Sequence, residues 1–375
     1  MKNEFIQMSM PSLGEEEITS LNLLFKIGYL GLGEQVEIFE NLISEYLNRD
    51  FVAVSSGTSA LFLALEACGI GEGDEVIVQS LTYIATYQAI LAVGATPISC
   101  DVNPTDLSID LIDVQKKITT KTKAIIPVHY NGNAGKLDEL LQLADKNNLR
   151  VVEDAAHAFG CKTNNKIIGS FGDITCFSFD PVKSLTCGEG GGISSSDKKL
   201  IEHVKTTRFL GIFRTKDDNI SGSKSYNDEI STQGWRYHMN NIHATIGIEQ
   251  FKKFSTIKEK RQKLAKLYNE FLSCISGIEL LPFDYNAIIP YLFVLNLKNH
   301  KNTDVIRKLK DFNIGSSYHY YPCHLQPLIS RNKNESLPNT EKIYSKLLSL
   351  PMYTNLDESH IEHISNSLKK IIDED

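Results

Sequence analysis

One lysine stands between an apolar run and a cluster of glycines. Lys183 follows the run ITCFSF (174–179) and lies in the stretch VKSLTCGEGGG (182–192). A lysine held in apolar surroundings has a lowered pKa, and its neutral amine forms Schiff bases with carbonyl compounds. Glycines allow the backbone to approach a ligand closely. The pattern favours a lysine that binds a carbonyl group, and the alternative is a surface lysine in a loop.

An aspartate and a histidine lie at the end of another apolar run. In VVEDAAHAFG (151–160), Asp154 ends the run and His157 follows three residues later. On a first helical turn this spacing places both side chains on one side. A buried carboxylate is unfavourable without a cationic or protonated partner. We therefore expect Asp154 to face such a partner, with a helix N-cap as the alternative.

Two further stretches follow apolar runs. SSGTSA (55–60) precedes a helical pattern, and the N–H groups at a helix N-terminus bind anions such as phosphate. The alternative is a tight turn in which Ser56 or Thr58 caps the helix. QSLTYIATYQ (79–88) contains Tyr83, which is either an aromatic platform or an ordinary packing residue.

Together these features predict one cofactor, pyridoxal 5′-phosphate. Its phosphate needs a cradle, its ring needs an aromatic face, its ring nitrogen needs an acid and its aldehyde needs a lysine. The stretches around residues 57, 83, 154 and 183 offer these groups in turn. The acid would keep the ring nitrogen protonated, and the lysine would move protons after it is displaced from the cofactor.

The spacing of the apolar runs predicts the elements that position these residues. From residue 50 to about 200, short β-branched runs alternate with helical patterns, which is typical of a mostly parallel sheet with helices on both faces. Ligands of such sheets bind beyond the carboxyl ends of the strands. We expect an α/β fold with a large domain over 1–245 and a smaller α+β domain over 246–375. A long helix at 242–275 would connect them, and the polar stretch 214–232 predicts a loop.

Composition argues against several functional classes. The formal net charge of −7 argues against nucleic acid or an anionic membrane as a general partner. The seven cysteines form no CxxC pair and no zinc-like spacing, so we expect reduced thiols in the cytoplasm and no metal site. No run of about 18 apolar residues predicts a membrane span. GYLGLGEQ (28–35) follows no strand, which argues against a dinucleotide-binding loop, and no GxSxG motif indicates a serine hydrolase.

Five stretches in the same order resemble the DegT/DnrJ/EryC1/StrS sugar aminotransferases. They are SSGTSALFLAL, VEDAAHAFG, FSFDPVKSLTCGEGG, GWRYHMNNIHATIGIEQF and YHYYPCHLQPL. The resemblance runs from 28–40 to 348–364. It implies a fold type I pyridoxal-phosphate enzyme that forms a homodimer with shared active sites, with residues 1 to about 35 near the subunit interface.

The resemblance also implies a role for each candidate residue. Lys183 matches the residue that binds the cofactor aldehyde, Asp154 the partner of the ring nitrogen, and His157 the neighbour of the phenolic oxygen. The other positions that match cofactor-binding residues are Gly57, Thr58, Ser59, Tyr83, Ser178, Arg236 and Asn240. The positions expected to contact substrate are Tyr29, Glu189, His319, Tyr321 and His324.

One stretch departs from the family pattern. Many members read G-Y-N-Y-R-M, whereas this chain has Arg236 in place of that asparagine and His238 in place of that arginine. Arg236 is expected to contact the phosphate bound by the other subunit or an anionic group of the substrate, because a guanidinium binds such groups more strongly than an amide does.

The resemblance implies transfer of an amino group from L-glutamate to a keto sugar, with pyridoxamine 5′-phosphate formed in the half-reaction. GEGG (188–191) resembles the branch that acts at carbon 4 of nucleotide-linked 4-keto-6-deoxy sugars in surface-polysaccharide or related amino-sugar biosynthesis. A keto-inositol or a small keto phosphate such as dihydroxyacetone phosphate is the alternative acceptor. A sugar dehydratase, which replaces the lysine with histidine, and a non-catalytic regulator fit less well because Lys183 is present.

Overall fold

The computed structural model describes residues 5–212, 230, 232–330 and 336–374, so most of the predicted loop at 214–232 lies outside the described residues. The helices are α1 (Glu15–Ile27), α2 (Glu34–Leu47), α3 (Gly57–Ala67), α4 (Ile84–Ala92), α5 (Leu111–Lys117), α6 (Leu137–Lys146), α7 (Lys198–Thr207), α8 (Asn241–Lys252), α9 (Phe254–Leu272), α10 (Asn302–Asp311), α11 (Pro327–Ser330), α12 (Pro338–Tyr344) and α13 (Glu358–Asp373). The strands are β1 (Phe51–Val54), β2 (Glu75–Gln79), β3 (Thr96–Cys100), β4 (Thr122–Ile126), β5 (Arg150–Asp154), β6 (Lys162–Thr163), β7 (Lys166–Ile167), β8 (Ile174–Ser178), β9 (Gly191–Ser195), β10 (Ile278–Leu280), β11 (Phe293–Leu297) and β12 (Leu347–Leu350).

A seven-stranded sheet forms the centre of the molecule, in the order β1-β9-β8-β5-β4-β2-β3. The strands from β3 across to β8 pair in parallel, whereas β9 is antiparallel to both of its neighbours. The parallel strands are apolar and largely buried because helices cover both faces of the sheet. The predicted α/β class with a mostly parallel sheet is confirmed.

Two glycines explain how β9 fits between β1 and β8. A Cβ atom on Gly191 would lie 2.4 Å from the backbone carbon of Ser56, and one on Gly192 would lie 2.0 Å from the ring of Phe51. These glycines therefore allow close packing of the backbone after Lys183. Their contribution is to the fold around the lysine, which differs from the close approach to a ligand that the sequence suggested.

A second sheet of three strands, β10-β11-β12, lies in the C-terminal part of the chain and is antiparallel. The long helix expected at 242–275 is two helices, α8 and α9, with Lys253 between them. The expected strand at 289–297 is shorter, since β11 begins at Phe293. The two sheets fall on either side of the division predicted at residue 245, which stays a prediction.

The length and apolar character of a helix decide whether it could span a membrane. In the parts of the chain that the structure describes, no helix combines the length and apolar character needed to cross a membrane.

Candidate active site

A cavity of about 260 Å³ lies beyond the carboxyl ends of the central strands. Asp154 and Ser178 are the last residues of β5 and β8, and Gly57 and Tyr83 follow β1 and β2. The predicted residues that line this cavity are Gly57, Thr58, Tyr83, Asp154, His157, Ser178, Lys183 and Glu189. A larger cavity of about 390 Å³ between α2 and α7 is lined by none of the predicted residues.

The N-terminus of α3 forms one end of the cavity. Ser56 is the N-cap residue, and its Oγ accepts a hydrogen bond from the N–H of Ser59 at 3.1 Å. The N–H groups of Gly57 and Thr58 lie in the first turn, where a helix offers no internal acceptor. A Cβ atom on Gly57 would come within 2.8 Å of Ser178 Cβ, so only glycine fits beside the hydroxyl of Ser178. These groups fit a phosphate.

Ser59 differs from the expectation that it contacts the cofactor. Its side chain is buried, and its Oγ donates to the carbonyl of Ser56 at 2.8 Å and accepts from the N–H of Ser56 at 2.9 Å. The hydroxyl therefore completes a capping box, and Ser56 lines the cavity in its place.

Asp154 is 5% exposed and accepts two hydrogen bonds. Thr86 Oγ1 donates to its Oδ2 at 2.7 Å, and the N–H of Ala156 donates to its Oδ1 at 3.2 Å. Burial raises the pKa of Asp154 although both hydrogen bonds lower it. A protonated pyridine nitrogen would supply the cation that this buried carboxylate needs. Sequence reasoning missed Thr86, although its position four residues after Thr82 at a helix start was a possible signal.

His157 is held as a neutral ring. Burial lowers its pKa well below the usual value, and the nearby Lys183 lowers it further. The N–H of Asn131 donates to Nδ1 at 3.4 Å, so we assign the ring hydrogen to Nε2, which lies 3.0 Å from Tyr320 Oη. His157 can therefore donate a hydrogen bond from the wall of the cavity.

Tyr320 is a cavity residue that the sequence did not reveal. We predicted its neighbour Tyr321, which is 41% exposed and packs edge-on against Tyr344 with ring centroids 5.7 Å apart. Both tyrosines belong to the stretch YHYYPCH, but their rings have different neighbours. Tyr320, and not Tyr321, lines the cavity of the single chain, and the substrate contact of Tyr321 stays a prediction.

Lys183 lies in the wall of the cavity after β8. Burial lowers its pKa to about 8, although the carboxylates of Asp180 and Asp154 act in the opposite direction. Its Nζ lies 4.0 Å from the centroid of the Tyr291 ring. At neutral to mildly alkaline pH the amine can exist in both charged and neutral forms, which suits a group that must act as nucleophile, base and acid.

Three other predicted residues lie around this centre. Tyr83 is 61% exposed at the start of α4, and its ring lies 5.7 Å from that of Tyr320. His319 Nδ1 lies 2.8 Å from Ser349 Oγ, and burial together with nearby Lys183 lowers the pKa of His319 to about 4. Glu189 is exposed at the mouth of the cavity. Partial burial of its carboxyl group, together with the nearby charge of Asp180, raises its pKa.

Two residues of the stretch 234–241 lie outside the cavity of the single chain. Asn240 is the N-cap residue of α8, and its Oδ1 accepts a hydrogen bond from the N–H of His243 at 3.0 Å. Arg236 is exposed, and its backbone forms an isolated bridge with Phe209. Asn240 thus has a structural contact, while Arg236 remains accessible.

Two predicted substrate residues also lie elsewhere. The hydroxyl of Tyr29 donates to the carbonyl of Leu32 at 3.0 Å, and its side chain does not line the cavity. His324 is buried, with Nδ1 at 2.6 Å from Ser80 Oγ and Nε2 at 3.4 Å from Glu341 Oε1. Because both ring nitrogens of His324 are engaged, this side chain ties its segment to the end of β2, and it does not line the cavity.

The described residues contain no group of three or more His, Cys, Asp or Glu side chains placed to hold a metal ion. The donor set of the cavity is instead a single amine, one deeply buried carboxylate, hydroxyls and a helix N-terminus. These groups fit an organic cofactor with a phosphate and a basic ring nitrogen.

Similarity to known proteins extends over nearly the whole chain. The model of the DegT/DnrJ/EryC1/StrS aminotransferase family matches residues 11–369. The chain is 33% identical over 382 residues to the spore coat polysaccharide biosynthesis protein SpsC of Bacillus subtilis, covering 99% of this chain and 98% of that protein. It is 30% identical over 387 residues to UDP-4-amino-4-deoxy-L-arabinose–oxoglutarate aminotransferase of Shewanella sediminis, covering 99% of each. The structure of NtdA from Bacillus subtilis with bound cofactor PMP matches with a TM-score of 0.87 and 29% identity, covering 100% of this chain and 87% of that chain.

Proposed function

The chain belongs to the DegT/DnrJ/EryC1/StrS aminotransferase family and is a pyridoxal-phosphate-dependent aminotransferase, and we propose that it transfers an amino group from L-glutamate to a nucleotide-linked keto sugar. The proposed acceptor is a 4-keto-6-deoxyhexose used in surface-polysaccharide or related amino-sugar biosynthesis. The observation that carries the proposal is the meeting of Lys183, Asp154 and the N-terminus of α3 in one cavity.

Each of these groups has a distinct task in the proposed reaction. Bound pyridoxal phosphate supplies an aldehyde and an electron-withdrawing ring. Lys183 Nζ would hold that aldehyde and, once the amino donor displaces it, would accept and return a proton as general base and acid. Asp154 would keep the ring nitrogen protonated, because its buried carboxylate contacts no cation among the residues that the structure describes. Gly57, Thr58 and Ser178 would bind the phosphate.

The relatives support the choice of substrates. The Shewanella enzyme is named for a 4-amino sugar linked to UDP and for oxoglutarate, the keto acid formed from glutamate. The Bacillus protein is named for the biosynthesis of a spore coat polysaccharide. The stretch GEGG (188–191), which carries Glu189 at the mouth of the cavity, supports amination at carbon 4.

The enzyme is proposed to act as a homodimer whose subunits complete each other's sites. Among the described residues that line the cavity, Lys183 is the only lysine or arginine, so a bound phosphate needs a further cation. The exposed Arg236 is a candidate donor to the other subunit. Helix α1 supports such an interface, because it presents large exposed apolar side chains, namely Ile18, Leu23, Phe25 and Ile27.

Hybrid dimers test whether Arg236 acts across the interface. A dimer of one Lys183→Ala subunit and one Arg236→Ala subunit would contain one site with both residues if Arg236 acts on the other subunit. That hybrid should regain about half of the wild-type activity, whereas each variant alone stays impaired. Activity no higher than that of the Arg236→Ala homodimer would show that the arginine does not act in trans.

A cytoplasmic location is proposed together with this function. All seven cysteines are free, and Cys100, Cys161 and Cys176 are buried. This usage suits a reducing compartment. Oxidation of the purified enzyme to a defined disulfide pattern would argue against it.

A half-reaction screen tests the acceptor. The pyridoxamine form of the enzyme would be mixed with nucleotide-linked 4-keto-6-deoxy sugars, a keto-inositol and dihydroxyacetone phosphate, and return of the visible absorbance would be followed. We expect the fastest return with a nucleotide-linked sugar. A response to dihydroxyacetone phosphate or the keto-inositol alone would overturn the acceptor proposal and leave the aminotransferase chemistry in place.

A further inference from the structure

Tyr291 contacts the catalytic amine from outside the predicted motifs. It lies two residues before β11 and is 8% exposed. Lys183 Nζ lies over the ring, 4.0 Å from its centroid, and the ring of His157 packs against it with centroids 4.4 Å apart. Tyr291 thus joins the small C-terminal sheet to the lysine and the histidine of the cavity.

We propose that the ring face of Tyr291 is a catalytic contact that holds the protonated amine of Lys183 whenever this amine is not bound to the cofactor. The proposal rests on the proposed role of Lys183. In the half-reaction, an N–H bond would form on Nζ as the Cα–H bond of the amino donor breaks, and the electron-withdrawing ring that the cofactor supplies would take up the electron pair of the broken bond. Tyr291 would stabilise the ammonium group that results.

The geometry supports an electrostatic contact beyond simple packing. The face of an aromatic ring carries partial negative charge, and a cation within about 6 Å of the centroid is attracted to it. Here the nitrogen of the lysine, which bears the charge, occupies that position. Burial raises the pKa of the Tyr291 hydroxyl, so the ring stays uncharged while Lys183 titrates.

The other groups around Lys183 do not fully offset the effect of burial on its charged amine. Asp180 on the same loop and Asp154 at the end of β5 favour the charged amine, but burial opposes it more strongly. His157 and His319 face the amine from the turn after β5 and from the C-terminal segment, and the pKa of each is lowered, so both are neutral near pH 7. The tyrosine ring adds a favourable contact on the apolar side of the amine.

A matched pair of substitutions tests the proposal. Tyr291→Phe keeps the aromatic face, whereas Tyr291→Leu removes it. The full-length enzyme is freed of cofactor, and the rate at which added pyridoxal 5′-phosphate restores the visible absorption band is measured against pH. Only the neutral amine reacts, so the profile reports the pKa of Lys183. Ionisation of the free cofactor is the same for all variants and cancels in the comparison.

We expect Tyr291→Leu to move the midpoint of this profile to lower pH by about 0.5 to 1.5, because the charged amine loses a stabilising contact. We expect the midpoint for Tyr291→Phe to stay at the wild-type pH. A Leu profile that coincides with the Phe profile, or that moves to higher pH, would overturn the proposal.

Two further variants keep the test decisive. Circular dichroism shows whether Tyr291→Leu folds. If it does not, pentafluorophenylalanine at position 291 keeps the shape of the ring and reverses its charge distribution. We expect this variant to move the midpoint of the pH profile downward as well. Lys183→Ala should show no covalent band. A retained band would refute the role of Lys183 itself, whereas loss of the band with identical Leu and Phe profiles would refute only the role of Tyr291.

Discussion

Replacing Thr86 with valine would remove one hydroxyl and almost no volume from the cavity wall. The hydroxyl donates to Asp154 Oδ2 at 2.7 Å. Asp154 is 5% exposed, so water cannot readily replace the donor. A hydrogen bond to a charged group contributes about 1.5–3 kcal/mol. This is equivalent to a change of about 1 to 2 in the pKa of the carboxyl group.

The direction of the change follows from the chemistry of Asp154. Burial raises the pKa of this carboxyl group, and the hydrogen bond from Thr86 lowers it. Thr86→Val should therefore raise the pKa further and leave Asp154 protonated over a wider acidic range. Because the ionised carboxylate is needed to hold a protonated ring nitrogen, the acidic limb of cofactor affinity should move to higher pH by about 1 to 2. Fluorescence titration of the cofactor-free enzyme with pyridoxal phosphate at a series of pH values measures this limb.

Thr82→Val is the matched control. Thr82 Oγ1 lies 2.9 Å from Thr86 Oγ1. Since the hydroxyl hydrogen of Thr86 is donated to Asp154, the hydroxyl of Thr82 is the donor to Thr86 Oγ1. Removal of the Thr82 hydroxyl therefore leaves the hydrogen bond from Thr86 to Asp154 in place. We expect the control to move the acidic limb by less than half as much. Equal shifts for the two variants, or no shift for Thr86→Val, would refute the reasoning.

Three further predictions concern stability. Gly191→Ala should lower the free energy of unfolding by about 1–3 kcal/mol in urea titrations, since its Cβ would lie 2.4 Å from the backbone of Ser56. Asp101→Ala should lower it by about 1.5–3 kcal/mol, because the buried carboxylate accepts hydrogen bonds from the N–H and Oγ1 of Thr340, both at 2.7 Å, near the start of α12. His319 has a pKa lowered from 6.5 to about 4, so acidification through this range protonates it in the unfolded chain first and weakens the fold. His319→Gln should reduce the loss of stability between these pH values, and an unchanged loss would contradict that assignment.

Much of the fold and the centre of the site could be predicted because the relevant signals are local. Runs of β-branched residues gave the central strands, and parallel strands bring their carboxyl ends to one edge. Asp154, Ser178 and Lys183 were predicted in this way, and the structure places each at or after the end of a strand. The predicted family and cofactor are confirmed.

The residues that were missed depend on contacts between distant parts of the chain. Tyr291 and Tyr320 reach the cavity from the C-terminal region, and no spacing in the sequence relates them to Lys183. Ser59 and Asn240 illustrate a second limit. Serine and asparagine serve equally well as phosphate contacts and as helix caps, and here both cap a helix.

The central claim is that Lys183 is the amine that holds the cofactor in a cavity shared with Asp154. Borohydride reduction of the cofactor-loaded enzyme fixes the cofactor to the amine that binds it, and peptide mass spectrometry then locates the modified lysine. We predict a phosphopyridoxyl group on Lys183 and on no other lysine. A modified lysine elsewhere in the chain, or a fully active enzyme that carries no modification after reduction, would contradict the account.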